Sequence, residues 1–358
     1  MIEELKAHGY TAQINVNRGA NCISLRNERY GARILREPDY TAFDNPYLYG
    51  MPILYPNNRI LSGRFCFENR EYVFPVNEPS TNCHIHGFLH ETPFTVLEKT
   101  DDSILCEYRA TKQNPYTTFP HAFAVRIFYQ IDKNGLVCDT QIENRSEQNM
   151  PNLLGFHTTF NTPFLRDGNK ADVRVLTQVK DEVERNMQVY LPTGNILPDD
   201  EITQKLCKGE FSPFEKAISR QYFRQGTGKV EITDVKKKLS VVYEMDEKFA
   251  FRLLYNGKAD EYICIEPQTC MANAPNAPFD RAFTGFDYIP PKEKKTYRTR
   301  IYIREDNEKS TPTGVLFVLK RSIMKFYQAN NLRVRLNNRR AYLYFQRLAV
   351  DYSATKNT

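Results

Sequence analysis

Short runs of apolar and β-branched residues recur along the chain, broken by clusters of turn formers. Asn21-Cys22-Ile23-Ser24-Leu25 gives way to Arg26-Asn27-Glu28. Phe65-Cys66-Phe67 and Tyr72-Val73-Phe74 flank Glu68-Asn69-Arg70 and predict a hairpin. Phe94-Thr95-Val96-Leu97 precedes Asp101-Asp102 and Ile104-Leu105-Cys106-Glu107-Tyr108. Phe123 to Tyr129 meets Asp132-Lys133-Asn134-Gly135 and then Leu136-Val137-Cys138. Further strands are expected around 230–232, 239–243, 249–254, 262–265 and 296–303. A spacing of roughly 8–12 residues between strands argues an all-β sandwich or barrel. Helical periodicity is scarce before residue 310, although 198–216, with Asp199-Asp200-Glu201, can hold a short helix or an ordered loop. No strand–helix alternation and no Gly-rich phosphate loop are present, which disfavours a dinucleotide fold.

At 358 residues the chain can bury a sizeable core, as one large β domain or two ordinary ones. It has no run of 18 apolar residues, so no membrane span is expected. The start, Met1-Ile2-Glu3-Glu4-Leu5-Lys6, lacks the apolar core of a secretory signal. The eight cysteines (Cys22, Cys66, Cys83, Cys106, Cys138, Cys207, Cys264 and Cys270) form no C-x-x-C pair. Free thiols in a reducing cytoplasm are therefore the expectation, and a zinc ribbon is disfavoured.

The net charge of +6 is unevenly distributed. Segment 309–358 holds ten basic residues against Asp351 alone, a charge of +9 that leaves the body at −3. The overall charge is thus no argument that the main domain binds nucleic acid. Polar, turn-rich residues from Glu305 to Gly314 suggest a boundary: a domain at 1–305, then a basic extension at 306–358. In that extension Val315, Leu316, Leu319, Ile323, Phe326 and Tyr327 lie near helical spacing with Lys320, Arg321 and Lys325 among them. A basic appendage for an anionic membrane or RNA, a packing extension, and sequence unrelated to the main domain all fit this pattern.

Three positions carry candidate chemistry. Glu266 ends the apolar run Tyr262-Ile263-Cys264-Ile265 and is followed by Pro267. His157 follows Leu153-Leu154-Gly155-Phe156, and His86 lies in His84-Ile85-His86-Gly87-Phe88. Histidine and glutamate held by rigid strands suit acid/base chemistry near neutral pH. A structural ion pair for Glu266 and core histidines bonded to backbone carbonyls are the alternatives. The spacing of His84, His86 and His90 also admits a metal site, but no acidic ligand lies close in sequence.

Four stretches, taken in order, resemble the aldose 1-epimerase (galactose mutarotase) family over roughly residues 10–305. They are Tyr49-Gly50-Met51-Pro52-Ile53-Leu54-Tyr55-Pro56-Asn57-Asn58-Arg59-Ile60, Asn82-Cys83-His84-Ile85-His86-Gly87-Phe88, Pro151-Asn152-Leu153-Leu154-Gly155-Phe156-His157 and Cys264-Ile265-Glu266-Pro267-Gln268-Thr269. The resemblance implies a single large antiparallel β-sandwich with a shallow sugar cleft. It implies His157 as general acid and Glu266 as general base, with Arg59, His86 and Asn58 holding the sugar. It also implies an isomerase acting at the anomeric carbon of a free aldose without metal or organic cofactor. One departure stands out. Many family members bind sugar hydroxyls through an Asp in an Asp-His-type motif. The matching stretch here is Ile218-Ser219-Arg220-Gln221-Tyr222-Phe223, with no Asp. A sugar phosphate is the alternative substrate, should Lys112, Arg126 or Arg220 converge on the cleft. A non-catalytic sugar-binding module is the alternative from another class.

Overall fold

The alternation along each strand sorts side chains to two faces, and the structure stacks those faces into layers. A computed structural model describes residues 1–38 and 45–306. In the strand Phe123–Asp132, Val125, Ile127, Tyr129 and Ile131 are buried while Arg126, Phe128 and Gln130 are only partly covered. That strand belongs to an eight-stranded antiparallel sheet running from Thr95–Lys99 at one edge, through Gly135–Asn144 and Lys294–Glu305, to Val173–Thr177 at the other. The second eight-stranded sheet has the spatial order Leu191–Leu197, Val179–Asn186, Ser219–Arg224, Phe251–Tyr255, Tyr262–Gln268, Gly155–Phe156 and Ile53–Leu54, with Thr158–Asn161 also paired to Tyr262–Gln268. A four-stranded sheet, Ile2–Ala7 to Ala32–Arg33, precedes both. The expected all-β architecture is therefore what forms, with the hairpin at Arg64–Phe67 and Arg70–Val73. The helix anticipated within 198–216 forms as Glu201–Lys208, capped by Asp200.

Contacts between the two large sheets are mixed. Phe160 meets the Tyr243 ring at 5.4 Å, and the Tyr243 hydroxyl bonds the Thr158 hydroxyl at 3.0 Å. Arg252, fully buried, donates to Thr177 Oγ1 at 2.8 Å and to the Gly228 carbonyl at 3.2 Å. These bonds offset part of the desolvation cost of the polar groups in an otherwise apolar layer, although Arg252 Nε has no hydrogen-bond partner among the described residues.

Tyr262–Gln268 sits in the middle of its sheet and is buried from Ile263 onward, as a strand covered on both faces must be. It corrects one expectation. The strand does not stop at Glu266 but runs to Gln268 through Pro267. Proline is tolerated there because the ladder is already broken. Thr158 pairs with Ile265 and Gly155 pairs with Gln268, so Phe156 and His157 face Glu266 and Pro267 without ladder partners in that strand. The missing N–H of Pro267 costs nothing at a gap. The His157 N–H is satisfied elsewhere, by the Pro52 carbonyl at 3.0 Å.

The other wall is built by the pair Arg59–Leu61 and Cys83–Ile85. His86, just past it, has φ +63° and donates its N–H to the Asn58 carbonyl at 3.0 Å. Gly87 follows at φ +63°, and a Cβ there would lie 1.9 Å from the Tyr55 carbonyl oxygen. The backbone thus turns twice through the left-handed region, with the second turn open only to glycine. Apart from Asp306, the basic extension read at 306–358 lies outside the described residues.

Gly87→Ala is expected to destabilise the fold by about 2 kcal/mol or more, because both space and dihedral oppose the methyl group. Denaturant melts check this, and an unchanged midpoint would show that the Tyr55 segment yields freely.

Candidate active site

The register of Gly155–Phe156 and Thr158–Asn161 against Tyr262–Gln268 sets a histidine directly opposite a glutamate, on one face of the sheet. His157 Nε2 lies 3.1 Å from Glu266 Oε1, and both side chains are buried. The second carboxylate oxygen, Oε2, accepts from Gln268 Nε2 at 3.0 Å. Gln268 Oε1 in turn accepts from Gln221 Nε2 at 2.5 Å and from Asn58 Nδ2 at 3.4 Å. Gln221 Oε1 accepts from the Ala272 backbone N–H at 3.2 Å. A backbone N–H can only donate, so it orients the whole amide chain. Oε2 must be an acceptor, and a proton on Glu266 must sit on Oε1, facing His157.

Burial displaces both groups. The Glu266 carboxyl is pushed up from its ordinary 4.5 to about 8, against smaller downward pulls from the Gln268 hydrogen bond and the Arg185 and Arg59 charges. Burial pushes the His157 imidazole down to about 4. Its Nδ1 is sealed from solvent without a hydrogen-bond partner among the described residues. Between these limits the pair holds one proton and no net charge, placed on the contact Oε1–Nε2. Such a pair can accept a proton at one atom while releasing one at the other.

The remaining predicted residues converge on the same place. The His86 ring stands edge-on to His157 at 5.6 Å and packs on Tyr47 at 4.6 Å. Burial holds its imidazole neutral, reinforced by neighbouring His157 and Arg59, and its Nδ1 is also unpartnered. Asn58 touches Gln268 and accepts from the Arg59 N–H at 2.9 Å. Arg59 presents Nε and Nη2 to Glu78 at 2.6 and 2.7 Å and lies 4.5 Å from the Tyr190 ring centroid. Two nitrogens of its planar fork are therefore engaged by a carboxylate, and Nη1 has no hydrogen-bond partner among the described residues.

Other candidates fall elsewhere. Arg126 is bonded to Glu107 at 2.8 Å on the opposite sheet, Lys112 is exposed, and Arg220 is held by Glu182 at 2.9 Å and Asp200 at 2.8 Å. His84 Nδ1 bonds the Pro75 carbonyl, and the His90 ring packs on Tyr47. Among the described residues no group of three or more His, Cys, Asp or Glu is placed to hold a metal ion. Phe94 is buried against Tyr108. The described cysteines are all unpaired, and Cys66 is exposed. No helix among the described residues is long and apolar enough to cross a membrane.

Sequence reasoning did not single out Gln268, Gln221, Tyr47, Tyr190 or Arg185. Gln268 was within reach: two positions beyond Glu266 on a strand, it must share that face. The others arrive from distant segments with no local signature.

The family model of aldose 1-epimerase matches residues 2–302. A galactose mutarotase-like protein from Clostridium acetobutylicum is similar at 30% identity, with a TM-score of 0.79 over 85% of this chain and 98% of that one. An aldose epimerase homologue from C. elegans shares the fold at 17% identity and a TM-score of 0.67, covering 86% and 99%. So does a galactose 1-epimerase from Lactobacillus acidophilus, at 15% identity and 0.62, covering 86% and 95%.

A raised Glu266 makes stability depend on pH in a definite direction. Above pH 4.5 the unfolded chain releases this proton while the fold keeps it, so the contribution of Glu266 to stability falls as pH rises toward about 8. The non-titrating Glu266→Gln variant is therefore expected to gain in Tm relative to the unsubstituted protein as pH rises from 4.5 to 8. A Tm difference that stays constant across that range would contradict the assignment.

Proposed function

Because the chain belongs to the aldose 1-epimerase family, we propose that it interconverts the α and β anomers of a free aldose by acid/base-catalysed ring opening and closure. The observation that carries this reading is the 3.1 Å contact between a carboxyl displaced upward and an imidazole displaced downward. Mutarotation needs a proton removed from the anomeric hydroxyl and another delivered to the ring oxygen. Glu266 Oε1, as carboxylate, takes the first, and protonated His157 Nε2 supplies the second. The C1–O5 bond breaks, the anomeric C–O becomes a carbonyl, and the aldehyde can turn its other face before the ring recloses. On closure Glu266 returns its proton to the carbonyl oxygen and His157 recovers one from the 5-hydroxyl.

The empty pair rests with its proton on Glu266. Transfer to His157 along the existing contact gives the reactive tautomer without exchange with solvent. Sugar oxygens entering the site help, since they supply polar contacts that the dry site lacks and so favour the charged forms. Asn58, His86 and the free nitrogen of Arg59 line the same space and offer hydrogen bonds to sugar hydroxyls. A module that only binds sugar has no use for two titratable groups driven in opposite directions.

Polarimetry on anomerically pure aldoses tests the reading. Glu266→Gln and His157→Asn are each expected to lower turnover by at least ~10²-fold while remaining folded. Catalysis should also be bell-shaped in pH. The acid limb falls as His157 takes up a second proton toward about pH 4, and the alkaline limb falls as the last proton leaves Glu266 beyond about pH 8. Near-normal mutarotation by either folded variant would remove the pair from the mechanism.

A further inference from the structure

Arg185 is a buried arginine that the mechanism above does not use. It lies on Val179–Asn186 and is 7% exposed. Its Nη2 donates to the Ser219 carbonyl and to Ser219 Oγ at 3.2 Å. Ser219 pairs with Tyr255, and Tyr255 pairs with Cys264, so these residues share the sheet face of Glu266, two positions beyond Cys264. Arg185 therefore rests on the same face as the acid/base pair.

No carboxylate among the described residues lies within ion-pair distance of this guanidinium. Glu182, the carboxylate that acts most strongly on it, is bound by Arg220 at 2.9 Å instead. Nε and Nη1 of Arg185 have no hydrogen-bond partner among the described residues, yet neither is sealed from solvent. Arg252 shows the contrast. It too lacks a carboxylate, but it is sealed between the sheets with Thr177 and two further acceptors. Burial lowers Arg185 only to about 10, so it stays cationic at neutral pH. A buried cation held without a counterion is costly unless something supplies one.

Two strand-to-strand steps, about 10 Å, separate the strand of Ser219 from that of Glu266. Across that face the two groups act on each other: the Arg185 charge pulls the Glu266 carboxyl down, and Glu266 in turn favours the Arg185 cation. We propose that Arg185 is a specificity-determining residue that binds a carboxylate carried by the sugar, making an acidic aldose of the uronate type the preferred substrate. A planar carboxylate suits one guanidinium edge. A phosphate dianion would call on more positive charge, and the neighbouring Arg59 and Arg220 are already bound to carboxylates. The inference rests on the proposed mutarotation and narrows its substrate.

The test uses the full chain, with mutarotation of galacturonate, galactose and galactose 6-phosphate followed by polarimetry and NMR. Galacturonate should exceed galactose in kcat/KM by about 10-fold or more, the usual scale for one charge-assisted hydrogen-bonded contact. Arg185→Met should reduce galacturonate turnover more than galactose turnover and bring the ratio close to one. Should that variant fail to fold, Arg185→Lys, which keeps charge but loses the fork, is expected to cut the ratio several-fold. A ratio unchanged in the folded variant overturns the proposal. So does a wild-type preference for galactose, and a preference for the phosphate would replace carboxylate by phosphate recognition. Calorimetric binding of galacturonate, with and without Arg185→Met, separates the two readings: if no sugar is turned over but binding depends on Arg185, mutarotation fails and carboxylate recognition stands.

Discussion

The site depends on a two-residue gap in one β-ladder. A central strand ordinarily spends its backbone groups on both neighbours. Here Phe156 and His157 stand opposite Glu266 and Pro267 without ladder bonds to them. Proline makes that gap permanent, because it has no N–H with which to close it. His157 lies directly across from Glu266 at that gap, and its backbone is held by Pro52. The register sets their contact, and burial of the facing pair displaces both proton affinities.

A second constraint acts along the chain Ala272, Gln221, Gln268, Glu266. Side-chain amides can usually turn over and exchange donor for acceptor. Starting the series from a backbone N–H removes that freedom, so two side chains are locked to deliver one donor to one carboxylate oxygen. Asn58 ties the same network to the segment bearing Arg59 and His86. The strand of Glu266 and the segments bearing Arg59 and His86 are thus parts of one hydrogen-bonded unit, and displacement of either is felt by both.

The all-β sandwich was legible because alternation is a local property, repeated in every strand. The meeting of Asn58, Arg59, His86, His157 and Glu266 was legible through the resemblance of four ordered motifs. What escaped was decided by long-range partners. Pro267 reads as a strand end, and only the pairing of Gly155 and Thr158 shows why the strand continues. Arg59 reads either as a sugar-holding fork or as a loop-anchoring salt bridge, and only the structure names the partner, Glu78, nineteen positions on, which takes two of its nitrogens. Arg185 reads as one charge in an ordinary polar strand. Its isolation appears only when Glu182 is seen to belong to Arg220. In each case the residue type was visible and its partner was not.

The resting tautomer, with the proton on Glu266 and His157 neutral, has a consequence for the energy profile. In the proposed cycle that is also the protonation state once the ring has opened, when the carboxyl faces the new carbonyl and the imidazole faces the new hydroxyl. The protein alone is thus most stable in the form that matches the open-chain aldehyde rather than either cyclic anomer. An empty site arranged for the intermediate favours neither ring and lowers the saddle points on both sides together. Each pass ends on the charged tautomer in which it began, and one proton transfer along the Oε1–Nε2 contact returns the emptied pair to its resting form.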